Sequence, residues 1–285
     1  MKHALKVFIV ILNWNGKNQL LSCLRSVFSL EYGNFEVVVV DNASSDGSIE
    51  KAKNLFSRAH FILNAKNLGF AAGMNVGIRF SLSQGAEYVW ILNNDTECEK
   101  YSLSRLVFVA DEYEKPALFS PYISAKDGTA WFSGGRINYF RMRTEHTSDE
   151  KALITDAPYT TGYLSGCALF LPRKAIERIG LFDEGYFLYY EDADLSVRAR
   201  KKGCGLLVVP QATVVHSEQS TENPEKTYWL VRSGLRFFRE HTPAPLRLWV
   251  WIYTLLRRVK NKIDKLQGKR EALPVSVAYA DFKAA

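Results

Sequence analysis

The chain has 285 residues, which at roughly 100–200 residues per domain means one large domain or two small ones. Apolar residues make up 47% and charged residues 24%, ordinary globular values that exclude disorder as the main state, and 18 Gly and 9 Pro are too few for a collagenous or low-complexity chain. The net charge is +7, and residues 246–270 alone carry eight basic side chains against Asp264, so bulk charge does not mark the rest of the chain as a polyanion or nucleic-acid binder.

The opening stretch MKHALKVFIVILNWNG has the early positive charge of a signal peptide, but its apolar run, Leu5 to Leu12, is short and no small-residue cleavage site follows. A buried first strand, KVFIVIL (6–12), explains it better. Leu20, Leu21, Leu24, Val27 and Phe28 then mark one face of a helix over 17–30, and FEVVVVD (35–41) reads as a second buried strand. Ser45 and Asp46 can cap the next helix, HFILN (60–64) is a third strand, a helix runs from about Phe70 to Leu82, and EYVWILNND (87–95) contains a fourth strand. This alternation predicts an open, mostly parallel α/β sheet of Rossmann-like layout. Beyond residue 110 come short strand candidates (ALFSPYI, TAWFSGG, GCALFLP), helices over 173–180 and 191–202, strands at 206–210 and 212–216, and an aromatic, basic helix over 224–241. No run of about 18 apolar residues predicts a spanning helix. Four widely spaced cysteines without a C-x-x-C suit a reducing compartment better than a disulfide or zinc framework.

Ligands of open parallel sheets bind beyond the carboxyl ends of the strands. Those ends carry Asn13-Trp14-Asn15, Asp41-Asn42, Asn64 to Asn67, and Asn93-Asn94-Asp95. One such cluster is most simply a turn; four along one rim point to a ligand with many hydrogen-bonding edges, such as a nucleotide. No G-x-G-x-x-G follows the first strand and no P-loop motif occurs, which argues against dinucleotide dehydrogenases and P-loop enzymes. Gly69, Gly73 and Gly77 clear one helix face, either for close packing or for a sharp turn around a nucleotide at Gly69. A carboxylate at Asp95 can hold a divalent cation that holds a diphosphate. Tyr189-Tyr190-Glu191-Asp192-Ala193-Asp194 puts three carboxylates at a helix start, more than capping requires, and His216 ends a strand where the chain turns polar.

Together VILNWNG, VVVVDNASSDGS, NLGFAAGMNVGI, WILNND, LSGCALFLPRKA, GYFLYYEDADLSVRARKKG and VVH make a chain that resembles the family 2 glycosyltransferases of GT-A fold, in particular their rhamnosyltransferase-like bacterial branch. The resemblance implies an inverting sugar transferase using a nucleoside-diphosphate sugar and a divalent cation (Mn²⁺ or Mg²⁺). It implies nucleoside contacts at Asn13, Asp41 and Asn67, with Asn15, Gly69 and Asn75 completing the donor set. Asn94 and Asp95 would meet the diphosphate, with Asp95 and His216 on the metal. Asp192 would be the catalytic base. Gly166, Cys167 and Glu191 would face the sugar and acceptor. The D-x-D position reads Asn93-Asn94-Asp95, so its first acid is an amide.

The donor is expected to carry thymidine or uridine, because Asp41 can accept a hydrogen bond from a base N–H. The acceptor is expected to be a glycan or a lipid-linked sugar. Residues 1–242 form the expected catalytic domain. Residues 243–285 form a basic amphipathic helix and tail that lies on a membrane or packs on the protein or on a second subunit, so a homodimer stays open. The expected place is the cytoplasm, at the inner face of the membrane. The rival readings are a sugar nucleotidyltransferase and a non-catalytic nucleotide- or glycan-binding module.

Overall fold

The protein is described by a computed structural model covering residues 4–148, 157–217 and 223–284, so the first three residues of the N-terminal stretch lie outside it. Strand β1 (Val7–Asn13) is followed by α1 (Lys17–Phe28), β2 (Phe35–Asp41), α2 (Ser48–Leu55), β3 (His60–Leu63), α3 (Gly69–Ser83) and β4 (Tyr88–Asn93). β1 lies between β2 and β4, parallel to both, and β3 continues the sheet parallel to β2. Val7 through Ile11 are fully buried, as a strand covered on both faces requires. In-register pairing of Asn13 with Asp41, and of Asp41 with Leu63, brings the polar strand ends to one rim.

The second half is mixed rather than parallel. After β5 (Thr96–Cys98), α4 (Ser102–Glu112), β6 (Ala117–Ala125) and β7 (Ala130–Phe132) comes the hairpin β8 (Gly135–Asn138) and β9 (Arg143–His146). Then follow β10 (Tyr159–Thr160), β11 (Ala168–Pro172), α5 (Arg173–Ile179), α6 (Glu191–Lys201) and β12 (Gly205–His216). β11 sits antiparallel between β4 and β6, and β12 pairs parallel with β6. The two strands expected at 206–210 and 212–216 are one, because the register merely shifts between Val209 and Thr213. Helix α4 carried too little rhythm in the sequence to be singled out. The start of α2 also differs: Gly47, at φ 75°, precedes the helix, while Asp46 accepts the Ser48 N–H at 3.1 Å.

Helices α7 (Pro224–His241), α8 (Arg247–Leu266) and α9 (Ala272–Ala284) follow. The C-terminal segment is a helical layer rather than a helix with a tail. Val250 is buried, the Trp249 indole donates to the Phe140 carbonyl at 2.9 Å, and Arg239 of α7 lies over the Phe282 ring of α9.

The glycines of α3 set how closely it lies on the sheet. A Cβ at Gly77 would sit 2.3 Å from Val10 Cγ1, and one at Gly73 would sit 2.6 Å from Leu12 Cδ1. Close packing therefore accounts for both. Gly77→Ala should lower stability by about 1–3 kcal/mol, because an inserted methyl must displace a filled core. Gly33→Ala, where a Cβ meets nothing within 4 Å, should stay within about 0.5 kcal/mol of the parent. Unfolding midpoints of the two variants decide it; equal midpoints would refute this account of α3.

Candidate active site

The rim of the parallel half is a closed polar network. Asn13, fully buried, directs its Nδ2 at Asp41 Oδ1 (2.9 Å) and at the hydroxyls of Ser44 and Ser48 (3.0 Å each). Its Oδ1 accepts from Asn94 Nδ2 at 2.9 Å. Asp41 also accepts the Ser44 N–H at 2.9 Å. Asn15, held at φ 51°, donates its N–H to Ser44 Oγ and accepts the Ser45 N–H. Asn42 connects the neighbouring strand ends: its Nδ2 donates to Asn67 Oδ1 and the Gly69 carbonyl, and its Oδ1 accepts from Asn64. Buried polar groups need partners, and here they find one another, which fixes the strand ends. Gly69, at φ 79°, turns against Phe187, whose carbonyl accepts the Phe70 N–H at 2.7 Å.

At the end of β4 the chain enters β5, which runs antiparallel to β12 with Thr96 opposite His216. That register sets Asp95 beside His216. Asp95 Oδ1 lies 3.3 Å from His216 Nε2 and has no hydrogen-bond partner, nor has His216 Nδ1, although both atoms are buried. The Trp131 ring meets the His216 ring edge-on at 4.4 Å between centroids and limits its rotation. A carboxylate oxygen without a hydrogen bond beside an imidazole is a fitting donor pair for a divalent cation, although no cluster of three or more such ligands occurs among the described residues. Two protein ligands suit an ion whose remaining positions are filled by substrate phosphates.

Asp192 opens α6. Its Oδ2 accepts from the Tyr163 hydroxyl at 2.9 Å and the Gly166 N–H at 2.8 Å, and its Oδ1 accepts the Ala193 N–H at 2.7 Å. Burial pushes its carboxyl up, and those three hydrogen bonds, together with the charge of His146, hold back part of the rise. Glu191 is pushed well above the usual carboxylate range, by burial first and the charge of Asp192 second. Its Oε2 is buried without a partner. Of the two, Asp192 is the carboxylate that holds donors. Asp194 is lower than usual: burial raises it, but His241 (2.8 Å) and Arg198 (2.7 Å) outweigh that. It ties α6 to α7.

The two halves of the site meet through β4 and β11. The Asn93 N–H donates to the Cys167 carbonyl at 2.9 Å, one residue from Gly166 and two from Asp95. Gly166 is hemmed in, since a Cβ there would lie 3.3 Å from Asp192 Cβ and 3.4 Å from the Phe70 ring.

The glycosyl transferase family 2 profile matches residues 8–180. The chain belongs to glycosyltransferase family 2. Among curated relatives it is 24% identical to the dTDP-rhamnosyl transferase RfbF of Shigella flexneri over 281 residues, 92% of each chain. It is 26% identical over 201 residues to an N-acetylglucosaminyl-diphospho-decaprenol L-rhamnosyltransferase of Mycobacterium tuberculosis (strain CDC 1551 / Oshkosh), covering 63% of this chain and 66% of that one. Its fold matches a crystal structure of GalNAc-T7 with UDP, GalNAc and Mn²⁺ (TM-score 0.65, 18% identity, 83% of this chain but 48% of that one). It also matches the mannosyltransferase PcManGT of Pyrobaculum calidifontis in complex with GDP-Man and Mn²⁺ (TM-score 0.59, 17% identity, 100% of this chain and 76% of that one). The architecture is thus the GT-A fold expected from the motifs.

Within this family 2 chain the structure brings Asn13, Asn15, Asp41 and Asn94 into one network, Asn67 and Gly69 into the adjoining one, Asp95 against His216, and Gly166 against Asp192. It gives Asn75 a different task from the donor contact expected of it. The Asn75 side chain makes three hydrogen bonds, to the Phe182 carbonyl and N–H and to Glu184, and so holds the loop before α6. Cys167 is buried and contributes its backbone to strand pairing. Tyr163 and Trp131 were not singled out; the only sequence hint was the place of Tyr163 beside the LSGC motif.

Because the Tyr163 hydroxyl stabilises ionised Asp192, Tyr163→Phe should raise the Asp192 pKa further. The acid limb of the rate profile should then move to higher pH, with activity largely restored above it. A uniformly lowered profile with an unmoved limb would mean that Tyr163 serves packing alone.

Proposed function

We propose that the protein transfers a sugar, rhamnose on the strength of its relatives, from a thymidine or uridine diphosphate donor to a glycan or lipid-linked acceptor with inversion at the anomeric carbon. Residues 1–242 would supply the chemistry, at the cytoplasmic side of a membrane; four buried free cysteines suit that reducing compartment. The observation that carries this reading is the pairing of an unpartnered Asp95–His216 site with a hydrogen-bonded Asp192 across adjacent strands.

The acceptor hydroxyl attacks the anomeric carbon from the face opposite the diphosphate. A new C–O bond forms, the bond to the diphosphate breaks, and the nucleoside diphosphate leaves. Asp192 takes the hydroxyl proton, a role favoured by burial that lifts its pKa toward neutrality. The three donors on its carboxylate hold the base in place. Asp95 and His216 would hold the divalent cation. When bound, that ion neutralises charge developing on the leaving diphosphate. Asp41, whose carboxylate ends the buried β2, is proposed to meet the base of the nucleoside.

Asp95 and Asp192 should fail differently. Asp95→Ala should weaken donor binding in the presence of Mn²⁺ and lower turnover, with part of the loss recovered by more metal. Asp192→Asn should leave donor affinity nearly unchanged and cut transfer by about 10²-fold or more, with no rescue by metal. Glu191→Gln mimics the neutral acid that burial already favours and should keep the fold and most of the rate. Transfer rates and donor dissociation constants for the three variants are the measurement. Near-normal transfer by Asp192→Asn, with loss in folded Glu191→Gln, would move the base to Glu191.

A further inference from the structure

Helix α8 packs on the protein by its narrow side and turns its apolar side outward. Val250, Thr254 and Asn261 face inward: Val250 is buried, Thr254 contacts Met142, and Asn261 bonds to α9. Leu248, Ile252, Leu255, Val259, Ile263 and Leu266 recur every three or four residues and so form one stripe, and all six are exposed. Trp251 stands at its edge, 65% exposed, and Leu266 reaches 89%. A soluble surface helix has the opposite arrangement, with its apolar stripe against the core. At 20 residues the stripe runs about 30 Å, yet no described helix is long and apolar enough to cross a membrane.

The flanks of the stripe are basic. Helical spacing puts Arg247, Arg258, Lys262 and Lys265 along one edge and Lys260 along the other, while Arg257 falls on the opposite side of the helix, next to the inward-facing Val250. Lys262 and Lys265 have no acidic partner among the described residues, and Asp264, the sole acid of the helix, is already paired with Lys260 and Lys269 at 2.6 Å each. Beside the stripe, Trp251, Leu255, Phe238 and Phe282 line a groove of about 490 Å³ shared with Arg247 and Arg258, and the buried Arg258 Nε there has no hydrogen-bond partner.

We propose that α8 lies in the headgroup region of an anionic membrane, with the Leu248–Leu266 stripe sunk toward the acyl chains and the basic edge of Arg247, Arg258, Lys262 and Lys265 on lipid phosphates. Charge selects this occupant over a second copy of the chain. Stripe-on-stripe pairing would bring the basic flanks of two helices together, and the one acid of α8, Asp264, is already taken by Lys260 and Lys269. A sheet of anionic headgroups complements the basic edge directly. The inference extends the lipid-linked acceptor reading, but its evidence is independent of sugar transfer.

The full-length protein should co-sediment with vesicles of mixed phosphatidylglycerol and phosphatidylcholine at low salt, bind pure phosphatidylcholine far less, and be released as salt rises. Leu255→Glu combined with Val259→Glu should weaken vesicle binding at least tenfold while unfolding midpoint and mass in solution stay unchanged. Lys262→Glu combined with Lys265→Glu, on exposed side chains, should weaken it about tenfold and flatten the salt dependence. Truncation is a poorer test, since α9 covers part of α7. Full-length protein that ignores anionic vesicles at low salt, or pair variants that bind like the parent, would overturn the proposal. So would a dimer that Leu255→Glu splits without any vesicle binding. Vesicle binding needs no donor, so a failure here is distinct from a failure to transfer sugar.

Discussion

The Asp192 carboxylate, gripped by Tyr163, Gly166 and Ala193, is the contact on which the functional architecture depends. It joins the start of α6 to the chain entering β11. β11 in turn borders β4, at whose end Asp95 lies. One carboxylate thereby connects the antiparallel half of the sheet to the rim of the parallel half. A buried charge with three donors is stable only where all three are in place, so the position of the Asp192 carboxylate and the integrity of that junction are the same constraint.

Asp192 also leans on a helix beyond the family match, which ends at residue 180. Tyr189 and Tyr190 both adopt φ 67°, an uncommon conformation for side chains of that size. They are held by α7. Ser233 donates to the Leu188 carbonyl, the Tyr190 ring packs on Phe237 and Phe238, and Gly234 leaves room for that ring. With His241 on Asp194, α7 decides where α6 begins. The start of α6 is fixed here by tertiary packing rather than by a cap of its own.

The strand ends were legible because a buried parallel strand leaves an unmistakable apolar run, and the residue that breaks it must sit at the rim. Asp41, Asn13 and Asp95 followed from that. Gly73 and Gly77 were legible as a cleared face. What spacing alone could not carry were the long-range pairings: only the family resemblance put Asp95 with His216, which meet through a β5–β12 register more than 100 residues apart, and nothing put Tyr163 on Asp192, 29 residues away. Asn75 misled for the same reason, since its partners, Phe182 and Glu184, lie more than 100 residues along the chain. The outward apolar side of α8 was visible as a pattern, but only packing showed which side the protein had left uncovered.

The four thiols offer a clock for local opening. All are buried, and burial pushes Cys23 up to about 12 and Cys98 well above its usual value, so alkylation has to wait for the chain around each to part. They stand at separate stations: Cys23 in α1, Cys98 in β5, Cys167 at the entrance to β11 and Cys204 between α6 and β12. Labelling each in turn would time the breathing of the molecule region by region. Cys167, one residue from the glycine that holds Asp192, would report how much quieter that junction becomes when a ligand binds.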